Sequence, residues 1–173
     1  GFFSIHDPKA PLIGRSAIMQ RLMNNFEKKN PSHLSIRGPR FSGKTVLLNA
    51  LVKNMRRDKS SQFQVIVYWD LGNQTPVSDE DFLQTMCKKI SEELCPINKE
   101  WSGYLLEGHT SEDPFNDLKE GIEFLESEKI NILMLWDGFE KVLRDNKTTR
   151  NLWDNLRGLA DSPNIRFIAA SRD

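Results

Sequence analysis

Apolar residues are distributed along the chain in two patterns that alternate. Short continuous apolar runs, rich in β-branched and aromatic residues, are separated by longer stretches in which apolar residues recur every three or four positions. The first pattern is typical of strands buried on both faces of a parallel sheet, and the second is typical of helices. Together they predict strands at 33–37, 62–71, 129–136 and 165–170, and helices at 16–26, 43–58, 78–94, 114–127 and 148–160.

Two segments fit neither pattern. Residues 1–14 are predicted to be irregular, since Pro8 and Pro11 exclude a helix before residue 12. Residues 96–113 are predicted to be the least regular stretch of the chain. Elsewhere strands alternate with helices, which favours right-handed connections between parallel strands. The chain is therefore predicted to be an α/β protein, with a mostly parallel sheet covered by helices on both faces.

A glycine-rich segment directly follows the first predicted strand of the core. Residues 38–45 read GPRFSGKT and fit the phosphate-binding pattern G-x-x-x-x-G-K-[ST]. Its two glycines let the backbone turn tightly, so that successive N–H groups point at a phosphate chain. Lys44 supplies a cation for the β- and γ-phosphates, and Thr45 supplies a hydroxyl for Mg²⁺. The residues predicted to contact the nucleotide in this segment are Gly38, Pro39, Arg40, Phe41, Ser42, Gly43, Lys44, Thr45 and Val46.

The surroundings of this segment strengthen the prediction. A strand-like run precedes it and a helical pattern follows it, and this is the order that phosphate binding requires. The helix turns its positive N-terminal end toward the same anion. The alternative, a flexible surface loop with a stray lysine, leaves that order unexplained.

Acidic residues close the apolar strands. Asp137 ends the run at 129–136 and is predicted to lie beside Thr45, where it accepts a hydrogen bond from a water on Mg²⁺. Glu140 is a candidate for orienting or deprotonating an attacking water, and a solvated carboxylate at a helix start is the alternative. Asp70 ends the run at 62–71 and is interpreted as a structural cap rather than a ligand.

A Leu-Ile-Gly-Arg sequence precedes the first predicted helix. Leu12 and Ile13 are suited to lie against a flat adenine ring, and Gly14 permits close approach of the backbone. A hydrophobic staple followed by a turn explains the same residues equally well. The sequence alone leaves both interpretations open.

Composition and charge add constraints on partners and compartment. Lys plus Arg and Asp plus Glu both number 24, so no overall charge attracts nucleic acid or an anionic membrane. A basic cluster at 53–59 is interpreted as a helix end that complements the helix dipole, with a nucleic-acid contact as the alternative. Cys87 and Cys95 form no disulfide or metal framework and are interpreted as buried thiols in a reducing compartment. With no apolar run of membrane-spanning length and no signal peptide, the expected location is cytoplasmic.

Four motifs in order resemble one family. They are GR at 14–15, GPRFSGKT at 38–45, ILMLWDGFE at 132–140 and FIAASR at 167–172. This set resembles the STAND class of P-loop NTPases, relatives of the AAA+ ATPases that include the NACHT and NB-ARC switch domains. The resemblance covers nearly the whole chain from Leu12 to Arg172.

The resemblance implies a fold and additional site residues. It implies the P-loop NTPase fold of the additional-strand type, with strand order 5-1-4-3-2 and the fifth strand beyond the segment. Ser171-Arg172 matches the first sensor, whose arginine reads the γ-phosphate through charge-assisted hydrogen bonds, and Gly14-Arg15 belongs to the nucleotide-facing N-terminal motif. Lys141 stands where the NACHT pattern has an acidic residue, which removes one candidate base and argues against fast hydrolysis.

The implied function is that of a nucleotide-dependent switch. ATP or ADP with Mg²⁺ binds at the loop, hydrolysis is slow, and the change reorganises flanking sensor and effector domains with self-association, for example in immune or anti-phage signalling. One alternative is an AAA+ ATPase of the DNA initiator or transposition-helper type, and another is a nucleotide-binding scaffold with vestigial hydrolysis. The chain is expected to be a segment excised from a longer protein, with a lead-in and helix at 1–30 and the nucleotide-binding core at 31–173.

Overall fold

The sheet of this protein is parallel throughout the part of the chain that the structure describes. A computed structural model describes residues 2–6, 20–21, 24–25, 33–37 and 43–171. Each strand pairs in parallel with its neighbours in the order β1-β2-β5-β4-β3. The strands are β1 (Phe2–His6), β2 (His33–Arg37), β3 (Val65–Asp70), β4 (Ile132–Asp137) and β5 (Ile165–Ser171).

The described helices connect these strands and begin at caps that the sequence supplies. Side chains of Ser78, Asn98 and Asp113 accept hydrogen bonds from backbone N–H groups in the first turns of three of them. The helices are α1 (Lys44–Arg57), α2 (Asp79–Leu94), α3 (Lys99–Leu106), α4 (Pro114–Ser127), α5 (Phe139–Arg144) and α6 (Arg150–Ala160), and a 3₁₀ turn spans Glu107–Thr110.

Two apolar cores lie on opposite faces of the sheet. Alternate residues of each strand point to opposite faces, so Leu133 and Leu135 of β4 pack with α1, whereas Met134 and Trp136 pack with the helices of the other face. The second core is the larger and contains Trp69 and Trp136, with Trp153 packed against it. The structure is therefore a three-layer α/β/α sandwich, and the predicted fold class is confirmed.

The predicted strand order is confirmed for the four core strands. The strands β2, β5, β4 and β3 occupy the places of strands 1, 4, 3 and 2. At the edge beside β2, where the resemblance implies a fifth strand, the structure has β1. The prediction that residues 1–14 are irregular is therefore wrong for Phe2–His6. The β-prone residues of FFSIH outweigh the later prolines, which limit helix and do not exclude a strand before them.

The segment 96–113 is also more regular than the sequence predicts. It contains α3 and the 3₁₀ turn, and Leu105 of α3 is buried against α4. A Cβ at Gly121 of α4 would lie 2.6 Å from Leu105 Cδ1, so the glycine makes room for this contact. Gly103 and the short length of α3 weaken its helical pattern in the sequence, and packing stabilises it instead.

Three smaller observations complete the comparison with the sequence. Residues 20, 21, 24 and 25 are helical, and Gln20 Nε2 donates to Asn24 Oδ1 over 2.8 Å, in agreement with a helix there. Cys87 is buried as predicted, but Cys95 is exposed because it lies beyond the apolar stripe of α2. Among the described helices, none combines the length and the apolar composition that a membrane crossing needs.

Candidate functional site

The N-terminus of α1 differs from that of α2, the longest described helix. Gly43 adopts the left-handed region with a φ of 79°, and its carbonyl accepts the first helical hydrogen bond, from Leu47 N over 2.9 Å. No side chain caps α1, and its first turn has no acidic residue, whereas Ser78 caps α2 and three acids follow it. In the part of the chain that the structure describes, the positive dipole end of α1 therefore has no capping side chain and no carboxylate from its own helix. Such an end is suited to bind a phosphate.

The end of β4 brings a carboxylate to this helix. Asp137 follows Leu133 and Leu135 at every second position of β4, so its side chain lies on the α1 face of the sheet. Thr45 Oγ1 donates a hydrogen bond to Asp137 Oδ2 over 2.7 Å, across 92 positions of sequence. Asp137 is only 6% exposed. The two residues that the sequence predicts as neighbours are in direct contact.

A tyrosine that the sequence analysis did not single out completes this contact. Tyr68 Oη donates a hydrogen bond to the same oxygen, Asp137 Oδ2, over 2.7 Å. Burial raises the pKa of Tyr68 well above its ordinary value, and the hydrogen bond to Asp137 raises it further. The phenol is therefore a neutral O–H donor. The sequence carries no specific signal for this contact, because a tyrosine in an apolar strand ordinarily indicates core packing.

Backbone contacts fix the place where β4 ends. Leu71 N donates to Asp137 O over 2.8 Å, so the turn after β3 is joined to the end of β4. Gly138 then reverses the chain into α5 with a φ of 75°. A Cβ at Gly138 would lie 3.0 Å from Gly72 N, so this crossing leaves no room for a side chain. The position of Asp137 is thus set by the sheet and by a glycine, not by a flexible loop.

Asp70 pairs in register with Asp137 and has a different environment. Its Oδ1 accepts hydrogen bonds from Gly72 N at 3.1 Å and Asn73 N at 3.3 Å, and its Oδ2 accepts one from Asn73 Nδ2 at 2.6 Å. These donors belong to the turn that directly follows β3. The interpretation of Asp70 as a structural cap is confirmed.

Glu140 lies beside the ends of two other strands. It is half-buried near the start of α5 and lines a cavity of about 980 Å³ on the face of the sheet opposite α1. At the carboxyl ends of β2 and β5 this cavity is lined by Arg37 and Ser171, and at their amino ends it reaches His33. Glu140 therefore shares a cavity with the residue that directly precedes Arg172.

The other predicted site residues divide into described and undescribed positions. Lys44, the first residue of α1, is half-buried, and Val46 is 53% exposed in the first turn of that helix. The following predicted residues lie outside the described part of the chain: Ile13, Gly14, Arg15, Gly38, Pro39, Arg40, Phe41, Ser42 and Arg172.

The donor atoms at the end of β4 suit a hard cation. Thr45 and Asp137 offer a hydroxyl and a carboxylate oxygen, which are the ligand types that Mg²⁺ accepts directly or through bound water. The hydroxyls of Thr45 and Tyr68 both donate to Asp137 Oδ2, and within the described residues no side chain donates to Asp137 Oδ1. The arrangement can therefore bind an anion at the helix end and a cation at the strand end, within a few ångströms of each other.

Three solved structures share the fold of this chain. The chain aligns over 96% of its length with the ORC2 protein of Aeropyrum pernix, solved as ADPNP–ADP complexes, at 17% identity and a TM-score of 0.65. It aligns over 94% with Cdc6p of Pyrobaculum aerophilum, at 15% identity and a TM-score of 0.55. It aligns over 95% with the Walker-type ATPase PABY2304 of Pyrococcus abyssi, at 18% identity and a TM-score of 0.52. The alignments cover 42%, 40% and 47% of those chains, so this chain spans less than half the length of each.

These comparisons settle the fold and the family. At such identities the three structures show the fold alone, which is that of P-loop ATPases. No curated protein sequence matches the chain. The family model described as Nephrocystin 3, N-terminal, matches residues 14–172, which is nearly the whole chain, and the protein therefore belongs to this family.

Proposed function

We propose that this chain binds ATP or ADP together with Mg²⁺ and acts as a nucleotide-dependent switch domain of the STAND type. The single observation that carries the proposal is the 2.7 Å hydrogen bond between Thr45 Oγ1 and Asp137 Oδ2. It joins the phosphate-binding motif to the acidic strand end, two features that are 92 positions apart in the sequence. A surface loop with a stray lysine gives no reason for this contact.

Each residue of the proposed site has a separate role. The uncapped N–H groups of α1 and the Lys44 ammonium bind phosphate oxygens, and Thr45 and Asp137 hold Mg²⁺. The metal ion, when bound, neutralises charge that develops on the phosphates. Glu140 orients or deprotonates the attacking water, and Arg172 responds to the γ-phosphate. Ile13, Gly14 and Arg15 contact the base side of the nucleotide.

Slow turnover suits a switch. The NACHT pattern has acidic residues at both positions that correspond to 140 and 141. This chain keeps the first of them, Glu140, and has Lys at position 141. One base in place of two supports slow hydrolysis that resets the bound state. We infer that the nucleotide state changes contacts with flanking sensor and effector domains and promotes self-association.

A DNA-directed ATPase is the second candidate function. The fold shared with ORC2 and Cdc6p supports it as well as it supports the switch. The basic cluster at the end of α1 is less favourable for it, because Arg56 Nη2 donates to Ile66 O and to Glu93 Oε1 within the fold. Salt-dependent binding of duplex DNA would favour this second function over the first.

Nucleotide binding is tested with a matched pair of lysine variants. Lys44→Ala and Lys53→Ala both remove a lysine from α1, and Lys53 is exposed far from the helix N-terminus. Titration with a fluorescent ATP analogue and Mg²⁺ should show at least about a tenfold weaker affinity for Lys44→Ala and an unchanged affinity for Lys53→Ala. Equal affinities for both variants would contradict the proposed site.

Hydrolysis is tested separately from binding. Glu140→Gln keeps the size of the side chain and removes the proton acceptor, so steady-state turnover should fall by about 10²-fold or more while nucleotide affinity is retained. Unchanged turnover would show that Glu140 is not the base. If wild-type protein binds nucleotide without any turnover, the scaffold with vestigial hydrolysis replaces the switch with slow hydrolysis.

A further inference from the structure

Two hydroxyl groups from different elements converge on one oxygen of Asp137. Thr45 Oγ1 and Tyr68 Oη each lie 2.7 Å from Asp137 Oδ2. The phosphate-loop chemistry described above explains the first of these contacts. It assigns no role to the second.

We propose that Tyr68 is a positioning residue that holds the Asp137 carboxylate in the orientation needed to receive Mg²⁺ with the nucleotide. This inference rests on the proposed function, because it concerns the same site. Tyr68 does not touch the nucleotide or the metal ion. It acts through Asp137 alone.

The two donors differ in how firmly the protein holds them. Thr45 lies in the first turn of α1, next to the glycine loop that would bind the phosphates, and it is exposed. Tyr68 lies within β3, whose ladder with β4 pairs Tyr68 with Leu135 and Asp70 with Asp137. The strand that carries the tyrosine is thus fixed to the strand that carries the carboxylate. Tyr68 is the donor whose place is independent of the ligand.

The body of the tyrosine ring is held as well as its hydroxyl. The ring packs against the core on the α1 face, which includes Leu135 of the neighbouring strand. Rotation of a carboxylate about its last torsion angle is broad and poorly defined without a partner. A hydrogen bond from a neutral phenol to a carboxylate is short and charge-assisted, and it limits this rotation. Oδ2 is thereby directed toward Tyr68 and Thr45, and Oδ1 is left for the ligand side.

The chemical character of Tyr68 fits a permanent donor. Its Oη donates to Asp137 Oδ2 over 2.7 Å, while the ring packs against the core. Phenylalanine preserves the ring that packs in the core and removes the donor. Tyr68→Phe therefore separates positioning from packing.

The test compares nucleotide affinity with and without Mg²⁺ in purified chain. The affinity for a fluorescent ATP analogue is measured in EDTA and in saturating Mg²⁺ for wild type, Tyr68→Phe and Tyr104→Phe. Tyr104 is an exposed tyrosine of α3 and serves as the matched control. In EDTA, we expect Tyr68→Phe to bind the analogue with the affinity of wild type. The factor by which Mg²⁺ increases the affinity should be about tenfold smaller for Tyr68→Phe than for wild type, in the range seen when partners of metal ligands are removed. Tyr104→Phe should behave as wild type in both conditions.

A second comparison separates positioning from a structural effect. In an Asp137→Asn background, Tyr68→Phe should cause no additional loss of the Mg²⁺-dependent gain, because the tyrosine acts through that carboxylate. The thermal unfolding midpoint of the apo variants shows that each is folded. A loss of affinity that is equal in EDTA and in Mg²⁺, or that adds to the effect of Asp137→Asn, would overturn the inference in favour of packing.

The outcomes distinguish this inference from the function on which it rests. If wild type gains affinity from Mg²⁺ and Tyr68→Phe gains the same amount, the positioning role is wrong and the proposed function stands. If wild type binds no nucleotide in either condition, the proposed function is wrong and the positioning role is overturned with it.

Discussion

The ends of β3 and β4 carry the same residue in the same register and use it differently. Asp70 and Asp137 are paired in the ladder, and each closes an apolar strand of six residues. Asp70 accepts hydrogen bonds from Gly72 and Asn73 of its own turn. Asp137 accepts them from hydroxyls of two other elements, and none of these partners is a backbone group.

This difference separates a structural carboxylate from one that is available for function. The backbone donors of a turn are part of the fold, and a ligand cannot replace them without breaking the turn. The hydroxyl of Thr45 can rotate toward a ligand at much smaller cost. The partners of an acidic residue, more than its place at the end of a strand, therefore indicate which carboxylate can take part in binding.

The largest expected effect comes from exchanging each carboxylate for its amide. Asp137→Asn should weaken the Mg²⁺-dependent binding of a fluorescent ATP analogue by about 10–100-fold, because the metal ion loses a negatively charged partner. Asp70→Asn should change it by less than about twofold, because the bonds of the Asp70 side chain within the described residues are to its own turn. The measurement is a Mg²⁺ titration at fixed nucleotide concentration. Similar losses in both variants would remove the functional distinction between the two strand ends.

The next largest effect is a loss of stability on substitution of Gly138, where the turn after β4 packs against the turn after β3. Gly138→Ala places a Cβ 3.0 Å from Gly72 N at a φ of 75°, and the left-handed region alone costs about 1–2 kcal/mol for a residue with a side chain. The free energy of unfolding in urea should fall by at least that amount.

The same exchange in a helix is the control for this prediction. Gly158 lies within α6, and no described residue comes within 4 Å of an added Cβ, so Gly158→Ala should raise the free energy of unfolding by about 0.5–1 kcal/mol. An unchanged stability of Gly138→Ala would mean that the turns after β3 and β4 move apart readily, and that Asp137 is less firmly held than the structure indicates.

Much of the fold can be predicted from the sequence because its signals are local. The strands of the core are continuous apolar runs, and the caps at Ser78 and Asp113 stand at the predicted helix starts. The topology follows from the alternation of these elements and from the handedness of their connections. One exception is β1, which lies in a segment predicted to be irregular. Another is α3, whose pattern is short and interrupted by Gly103 and whose stability comes from packing against α4.

The candidate site could be predicted only in part, because its contacts are not local. Lys44, Thr45 and Asp137 belong to motifs with fixed spacing or a fixed place at a strand end. Tyr68 belongs to no motif, and an aromatic residue in an apolar strand indicates core packing. Its hydrogen bond depends on the register of β3 against β4, which the sequence of either strand alone does not define.

The same distinction between backbone and side-chain partners applies at the amino ends of the strands, opposite the ends that carry Asp70 and Asp137. His33 is the first residue of β2. Its Nε2 lies 2.7 Å from Ala160 O, and Phe167 N donates a hydrogen bond to its Nδ1 over 3.0 Å. The Nε2 nitrogen therefore carries the proton, and the ring is neutral. These backbone partners mark His33 as structural, like Asp70. The residue joins β2, β5 and the end of α6.

The smallest expected effect is a pH dependence of stability that this histidine causes. Burial lowers the pKa of His33 below its ordinary value of 6.5, and a proton on Nδ1 would also face the N–H of Phe167. Because the unfolded chain binds that proton at a higher pH than the folded protein does, the free energy of unfolding falls as the pH decreases below about 6.5, until it reaches the lowered native pKa. His33→Gln removes this titration. The stability difference between wild type and His33→Gln should therefore narrow between pH 7.5 and pH 5.5 in urea unfolding. Parallel curves for wild type and His33→Gln would show that the folded protein accommodates the protonated ring, and that the bond to Phe167 is not maintained in solution.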